Sequence, residues 1–176
     1  MVAYKLAEES VKNDSTKTSS PCLKVDGSDL HIFKKKFPYK LTAAQDRTIA
    51  EILADIKNLD TMIRLLQGDV GAGKTIVATM ALYACVTSGY QAAIMAPTEI
   101  LAEQHLGFLT EFFAETDIEV VPLLGKLTAK QTRASLEKIK SVKNCIVVGT
   151  HAIFQERVEY NNLGLVVVDE QHRFGV

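Results

Sequence analysis

The chain has 176 residues, is 47% hydrophobic and 23% charged, and carries a net charge of −1, which suits one domain with a real core. The near-neutral balance excludes a global basic field, so any nucleic-acid contact must come from local groups. Cys22, Cys85 and Cys145 are odd in number and widely spaced, which fits neither a disulfide framework nor a metal set and points to a reducing, cytoplasmic setting; the N-terminus has no apolar signal core.

In chain order, residues 1–36 read as an N-terminal linker or mobile segment, rich in Asn, Ser, Thr and Lys over 13–21. The basic run Lys34-Lys35-Lys36 is either a solvated face or a contact to a phosphate backbone. Thr42-Ala43-Ala44-Gln45 opens the first clear helix, with Ile49, Ile52, Leu53 and Ile56 on one face. Thr42 and Gln45 have the spacing of a capping box. The amide of Gln45 could also read an adenine edge, accepting and donating at once.

A short apolar strand over 62–66 leads into Gly68-Asp69-Val70-Gly71-Ala72-Gly73-Lys74-Thr75, and a long apolar helix follows over 76–86. The pattern G-x-x-x-x-G-K-T between a strand and a helix is a phosphate-binding loop. The glycines permit turns in which successive N–H groups converge on an anion. Lys74 supplies charge for the β- and γ-phosphates, Thr75 a hydroxyl for Mg²⁺, and the helix its positive end. ATP and Mg²⁺ are therefore the expected cofactors. The uncharged stretch from Thr75 to Thr98 is broken by Thr87-Ser88-Gly89-Tyr90-Gln91, so it reads as a buried helix and strand and no membrane span.

Strands are expected at 91–95, 118–124, 145–148 and 163–168. Thr98 is placed to cap a helix whose apolar stripe includes His105, read as a partly buried histidine. Thr128 with Gln131 caps a more polar helix. Near-continuous apolar strands alternating with helices predict an α/β fold, a mostly parallel sheet covered on both faces. Gly68–Thr75, Thr98, Thr150 and Asp169 all fall at strand carboxyl ends, where such sheets bind ligands. The apolar strand over 163–168 empties onto Asp169 and Glu170. Beside a phosphate loop these acids are a metal-holding carboxylate and a base for the attacking water; the bland alternative is a solvated turn.

Asp169-Glu170-Gln171-His172 resembles the Asp-Glu-x-His box of superfamily 2 helicases and translocases. Leu41-Thr42-x-x-Gln45 resembles their adenine-reading Q motif, and the run from Ala96-Pro97-Thr98 to His105 resembles their motif Ia. With Gly149-Thr150-His151-Ala152-Ile153-Phe154-Gln155 and the segment 169–175, the resemblance narrows to the RecG family of ATP-dependent DNA helicases and spans 37–176. The resemblance implies a first RecA-like motor domain over 37–176 and nucleotide contacts from Phe37, Leu41, Gln45, Gly68, Asp69, Val70, Gly71, Ala72, Gly73, Lys74 and Thr75. It implies catalysis by Lys74 and Glu170, metal binding by Thr75 and Asp169, and DNA contacts from Thr98, Lys126, Thr150 and His151. It also implies coupling of nucleotide, DNA and partner domain through Gln171, His172 and Arg173. The partners implied are branched DNA and a second RecA-like domain, in recombination and fork repair.

The sequence ends at Val176, before the next family motif and the second motor domain with its arginine finger. The domain is thus expected to be incomplete at its C-terminus, and inactive alone. In the family a further strand lies between the phosphate-loop strand and the Asp169 strand. Those two strands are therefore expected to flank a gap that leaves the isolated chain marginally stable, aggregation-prone or completed by a strand from another chain, with 28–33 the only candidate in the N-terminal region to fill it. The rival readings are a phosphate-loop phosphotransferase, disfavoured by the adjacent Asp-Glu pair, and a non-catalytic remnant that binds nucleotide or DNA weakly.

Overall fold

The computed structural model describes residues 2–4 (backbone), 33–37, 40–57, 62–69 and 71–169. A six-stranded sheet runs in the order β2-β1-β6-β3-β5-β4. Its strands are β1 (Val2–Tyr4), β2 (Ile63–Leu65), β3 (Gln91–Met95), β4 (Glu119–Leu123), β5 (Cys145–Gly149) and β6 (Leu163–Val168). The helices are α1 (Ala43–Lys57), α2 (Lys74–Thr87), α3 (Glu99–Phe113) and α4 (Ala129–Ser141), with a 3-10 turn at His151–Phe154.

The apolar strands divide their side chains by strict alternation. Ala92 and Ile94 of β3, Ile146 and Val148 of β5, and Leu165 and Val167 of β6 face a core built with α1, α2 and α3. Ala93, Met95, Cys145, Val147, Val166 and Val168 face the opposite core with Ile139 of α4 and Ile153 of the 3-10 turn. The α/β sheet with helices on both faces is thus present. β3 pairs parallel with β5 and β6, and β4 parallel with β5. Parallel pairing places the carboxyl ends of β3, β4, β5 and β6 on one rim.

The expected gap is closed. β1 lies between β2 and β6 and is antiparallel to both, pairing Val2 with Leu65 and Val168, and Tyr4 with Ile63 and Val166. Two antiparallel pairings in succession leave β2 parallel to β6, so the phosphate-loop strand keeps the sense of the rest of the sheet. The expectation that only 28–33 could fill the slot is corrected. Val2-Ala3-Tyr4 is the inserted segment, an apolar, strand-forming tripeptide. Residues 28–32 lie outside the described residues, and Phe33 packs in the core instead, 2% exposed and stacked on Tyr83 with ring centroids 3.6 Å apart. The linker stretch 13–21 also lies outside the described residues.

α1 fixes the strand that leads into the phosphate loop. Arg64 of β2 donates to Asp55 at 2.9 and 2.5 Å and to Glu51 at 2.8 Å. The Asp55 bonds, helped by Glu51, hold its guanidinium above its ordinary value despite burial. Gln91 ties the other side of the fold together from a fully buried position. Its Nε2 donates to the carbonyls of Ile139 (2.6 Å) and Val142 (2.7 Å), and its Oε1 accepts from the backbone of Asn161 (2.8 Å) and Asn162 (3.0 Å). Among the described residues no helix is long and apolar enough to cross a membrane.

Candidate functional site

Along the carboxyl rim of the sheet, the strand order sets the order of the chemistry. The phosphate loop follows β2, Asp169 follows β6, Thr98 follows β3, Thr150 follows β5 and Lys126 follows β4. The nucleotide and metal candidates thus occupy one half of the rim and the DNA candidates the other. β2 and β6 are separated by one strand, about 10 Å between axes. Because β1 runs against its neighbours, its Val2 end lies at this same rim.

Gly71 and Gly73 both adopt left-handed backbone, with φ of 84° and 73°. Only glycine does so freely, so these positions carry the turn into α2. Gly73 is also the N-cap of α2 and has no side-chain cap of its own, which leaves the first N–H groups of the helix for an anion. Lys74 turns back over the loop, its Nζ donating to the carbonyls of Gly68 (2.5 Å) and Asp69 (2.9 Å). The ammonium therefore stands within the loop. Thr75 sits in the first turn of α2. Val70 lies outside the described residues.

Gln45 reaches this loop from α1. Its Oε1 accepts from the backbone of Thr42 at 2.8 Å, while the Thr42 hydroxyl accepts from the Gln45 backbone at 3.2 Å, so the capping box is formed. Its Nε2 donates to the Ala72 carbonyl at 3.1 Å. One side chain thus caps a helix and braces the phosphate loop. An amide nitrogen has two hydrogens and its oxygen two lone pairs, so these bonds still leave capacity for a purine edge. Phe37 is 7% exposed and stacks on Phe112 with centroids 4.7 Å apart. Leu41 packs against the same core.

Asp169 is held from two sides. Its backbone N–H donates to the Met95 carbonyl at 2.8 Å, which locks it to the end of β3. Its Oδ2 lies 2.7 Å from Nε2 of His105 on α3. The sequence marked His105 as a member of an apolar stripe and as the end of the motif Ia-like run, and neither reading names a partner for it. No sequence signal could have found its partner, because nothing in the chain order says that β6 lies beside β3. Glu170, Gln171, His172 and Arg173 lie outside the described residues.

On the other half of the rim, Thr98 caps α3, its side chain accepting from Leu101 N at 3.3 Å. Glu99 Oε1 accepts from Gly125 N at 2.7 Å, and Lys126 pairs with Glu103 at 2.6 Å. Both contacts tie α3 to the turn after β4. Thr150 and His151 begin the 3-10 turn after β5. Thr98, Lys126 and His151 are exposed and Thr150 is half-buried.

The donor set fits Mg²⁺ with a nucleotide. An Asp carboxylate and a Thr hydroxyl are hard oxygen ligands, and Mg²⁺ completes its shell with phosphate oxygens and water. The loop fits phosphate through the N–H groups at the start of α2, which no side chain caps, and through Lys74.

A profile of the DEAD/DEAH box helicase family matches residues 42–176. The ATP-dependent DNA helicase RecG of Aquifex aeolicus is 46% identical over 173 residues, covering 98% of this chain and 22% of the relative. RecG of Haemophilus influenzae is 44% identical over 176 residues, covering 100% of this chain and 25% of the relative. RecG of Streptococcus pneumoniae is 51% identical over 143 residues, covering 81% and 21%. A solved structure of RecG bound to a three-way DNA junction superposes with a TM-score of 0.80 at 43% identity, covering 86% of this chain and 21% of that one. The chain thus spans about a fifth to a quarter of the length of these relatives.

Proposed function

Because the chain belongs to the DEAD/DEAH box helicase family and matches its RecG members, we propose that it forms the ATP-binding, first RecA-like unit of a DNA helicase or translocase acting on branched DNA in recombination and fork repair. The observation that carries this is the rim itself. A strand, a loop with two left-handed glycines, and a helix starting on Lys74 share one sheet edge with Asp169. The odd number and wide spacing of the cysteines in the sequence support a cytoplasmic setting.

Phosphates would be held by the loop N–H groups and Lys74, and the adenine by Gln45 with Phe37 and Leu41 beside it. Thr75 and Asp169 would hold Mg²⁺, which supplies charge neutralisation at the β- and γ-phosphate oxygens. Glu170 would take a proton from the attacking water. Thr98, Lys126, Thr150 and His151 would grip DNA phosphates without reading bases, so affinity is expected to fall steeply with salt. Gln171, His172 and Arg173 would link the two halves. For these 176 residues assayed alone, negligible turnover is expected. The resemblance assigns the transition-state arginine to a second RecA-like unit, and such a finger is worth about 10³–10⁵ in rate.

Calorimetry of Mg²⁺-ATP against the wild type and Lys74→Ala tests the reading. Loss of a charged hydrogen bond at the phosphates is expected to cost about 1.5–3 kcal/mol. Unchanged affinity in the variant would remove the phosphate-loop assignment.

A further inference from the structure

The buried stripe of α3 consists of Ala102, His105, Leu109 and Phe113. These positions recur at helical spacing, and His105 is the one polar member. An apolar residue there would extend the core and carry no desolvation cost, so the histidine calls for a use. The residue is 8% exposed, and its Nε2 meets Asp169 Oδ2 at 2.7 Å, 64 residues away in sequence. An ionised carboxylate only accepts, so Nε2 carries the hydrogen and donates. Met95 fixes the backbone of the same aspartate. Backbone and side chain of Asp169 are thus set by two different elements, β3 and α3.

From this geometry we infer that His105 is a positioning residue for the metal-holding carboxylate of Asp169. The inference rests on the nucleotide-site reading above. A carboxylate has two freely turning side-chain bonds. Engaging one of its oxygens restricts both and orients the group before a cation arrives. Ligand carboxylates held in this way by an outer hydrogen bond bind their metals more tightly, and loss of the outer partner typically costs about 10–100-fold in metal affinity. The donor also comes from a particular place. α3 begins at Thr98 on the DNA half of the rim and is tied by Glu99 to the turn after β4. Through His105, Mg²⁺ affinity depends on how α3 is seated.

The test is calorimetry on the whole chain with ATP plus chelator and with ATP plus Mg²⁺, for the wild type, His105→Leu, His105→Gln and Lys74→Ala. Leucine keeps the apolar packing and removes the donor; glutamine restores an N–H at comparable reach. In His105→Leu the strengthening of ATP binding by Mg²⁺ should shrink by about 10–100-fold, with Mg²⁺-free ATP affinity unchanged. His105→Gln should recover most of the loss. A merely structural contact would lower both affinities together and would show in the thermal melt of both histidine variants. The inference is overturned if His105→Leu keeps the wild-type response to Mg²⁺, if both affinities fall in parallel, or if Mg²⁺ has no effect on the wild type. If Lys74→Ala binds ATP as the wild type does, or the wild type binds none, the nucleotide-site reading fails first and takes this inference with it.

Discussion

Gly73→Ala probes the join between α1 and the phosphate loop. Gly73 has φ of 73°, and a Cβ added there would lie 2.2 Å from Gln45 Nε2. A left-handed alanine costs about 1–2 kcal/mol. The collision is with the far end of a flexible side chain, so Gln45 would swing away and lose its bond to the Ala72 carbonyl, about 0.5–1.5 kcal/mol more. The total expected is about 1.5–3.5 kcal/mol in urea unfolding. Gly71→Ala is the internal comparison, because its φ is 84° yet an added Cβ meets nothing within 4 Å. It should show the strain without the collision. In a Gln45→Ala background, Gly73→Ala should likewise cost only the strain, leaving a coupling of about 0.5–1.5 kcal/mol between the two sites. Equal costs for Gly73→Ala in both backgrounds would refute the claim that Gln45 braces the loop.

Gln91→Ala should destabilise by about 2–4 kcal/mol in urea unfolding, because it strands several partners of a fully buried amide at once; a loss below about 1 kcal/mol would mean that water replaces the side chain. Ala3→Pro should lower the urea midpoint by removing an N–H from the middle of the inserted strand, at about 1–3 kcal/mol for the lost pairing alone. An unchanged midpoint would show that β1 does not hold the slot in solution. Burial pushes the Cys145 thiol up to about 11. A raised value keeps the thiol protonated below it, so at pH 8 only about one molecule in a thousand presents the thiolate, and labelling of Cys145 should require unfolding. Rapid labelling of Cys145 in the native protein at pH 8 would contradict its burial.

Most of the layout was legible in the sequence because β3, β5 and β6 are buried on both faces, read as near-continuous apolar runs and end close to turn formers. The strands at Gln91–Met95 and Leu163–Val168 and the capping box at Thr128 and Gln131 fall where the pattern placed them. These are local signals. The three features that the sequence missed or misplaced are contacts between distant segments. Val2-Ala3-Tyr4 is too short to show a period, and its antiparallel insertion between two parallel strands has no local signature. The bond from Gln45 to Ala72 was hidden behind the Thr42 cap, which accounts for the same side chain. His105 matched its stripe by position, so its bond to Asp169 depended on a strand order that no single sequence displays.

The most direct measurement is a titration of Mg²⁺-ATP into isotope-labelled protein, followed residue by residue through backbone amide resonances. The nucleotide-site account predicts the largest shifts at Gly71, Gly73, Lys74 and Thr75, with Gln45 and Asp169 moving in step at the same apparent affinity. Shifts concentrated elsewhere, with the phosphate loop silent at saturation, would contradict it.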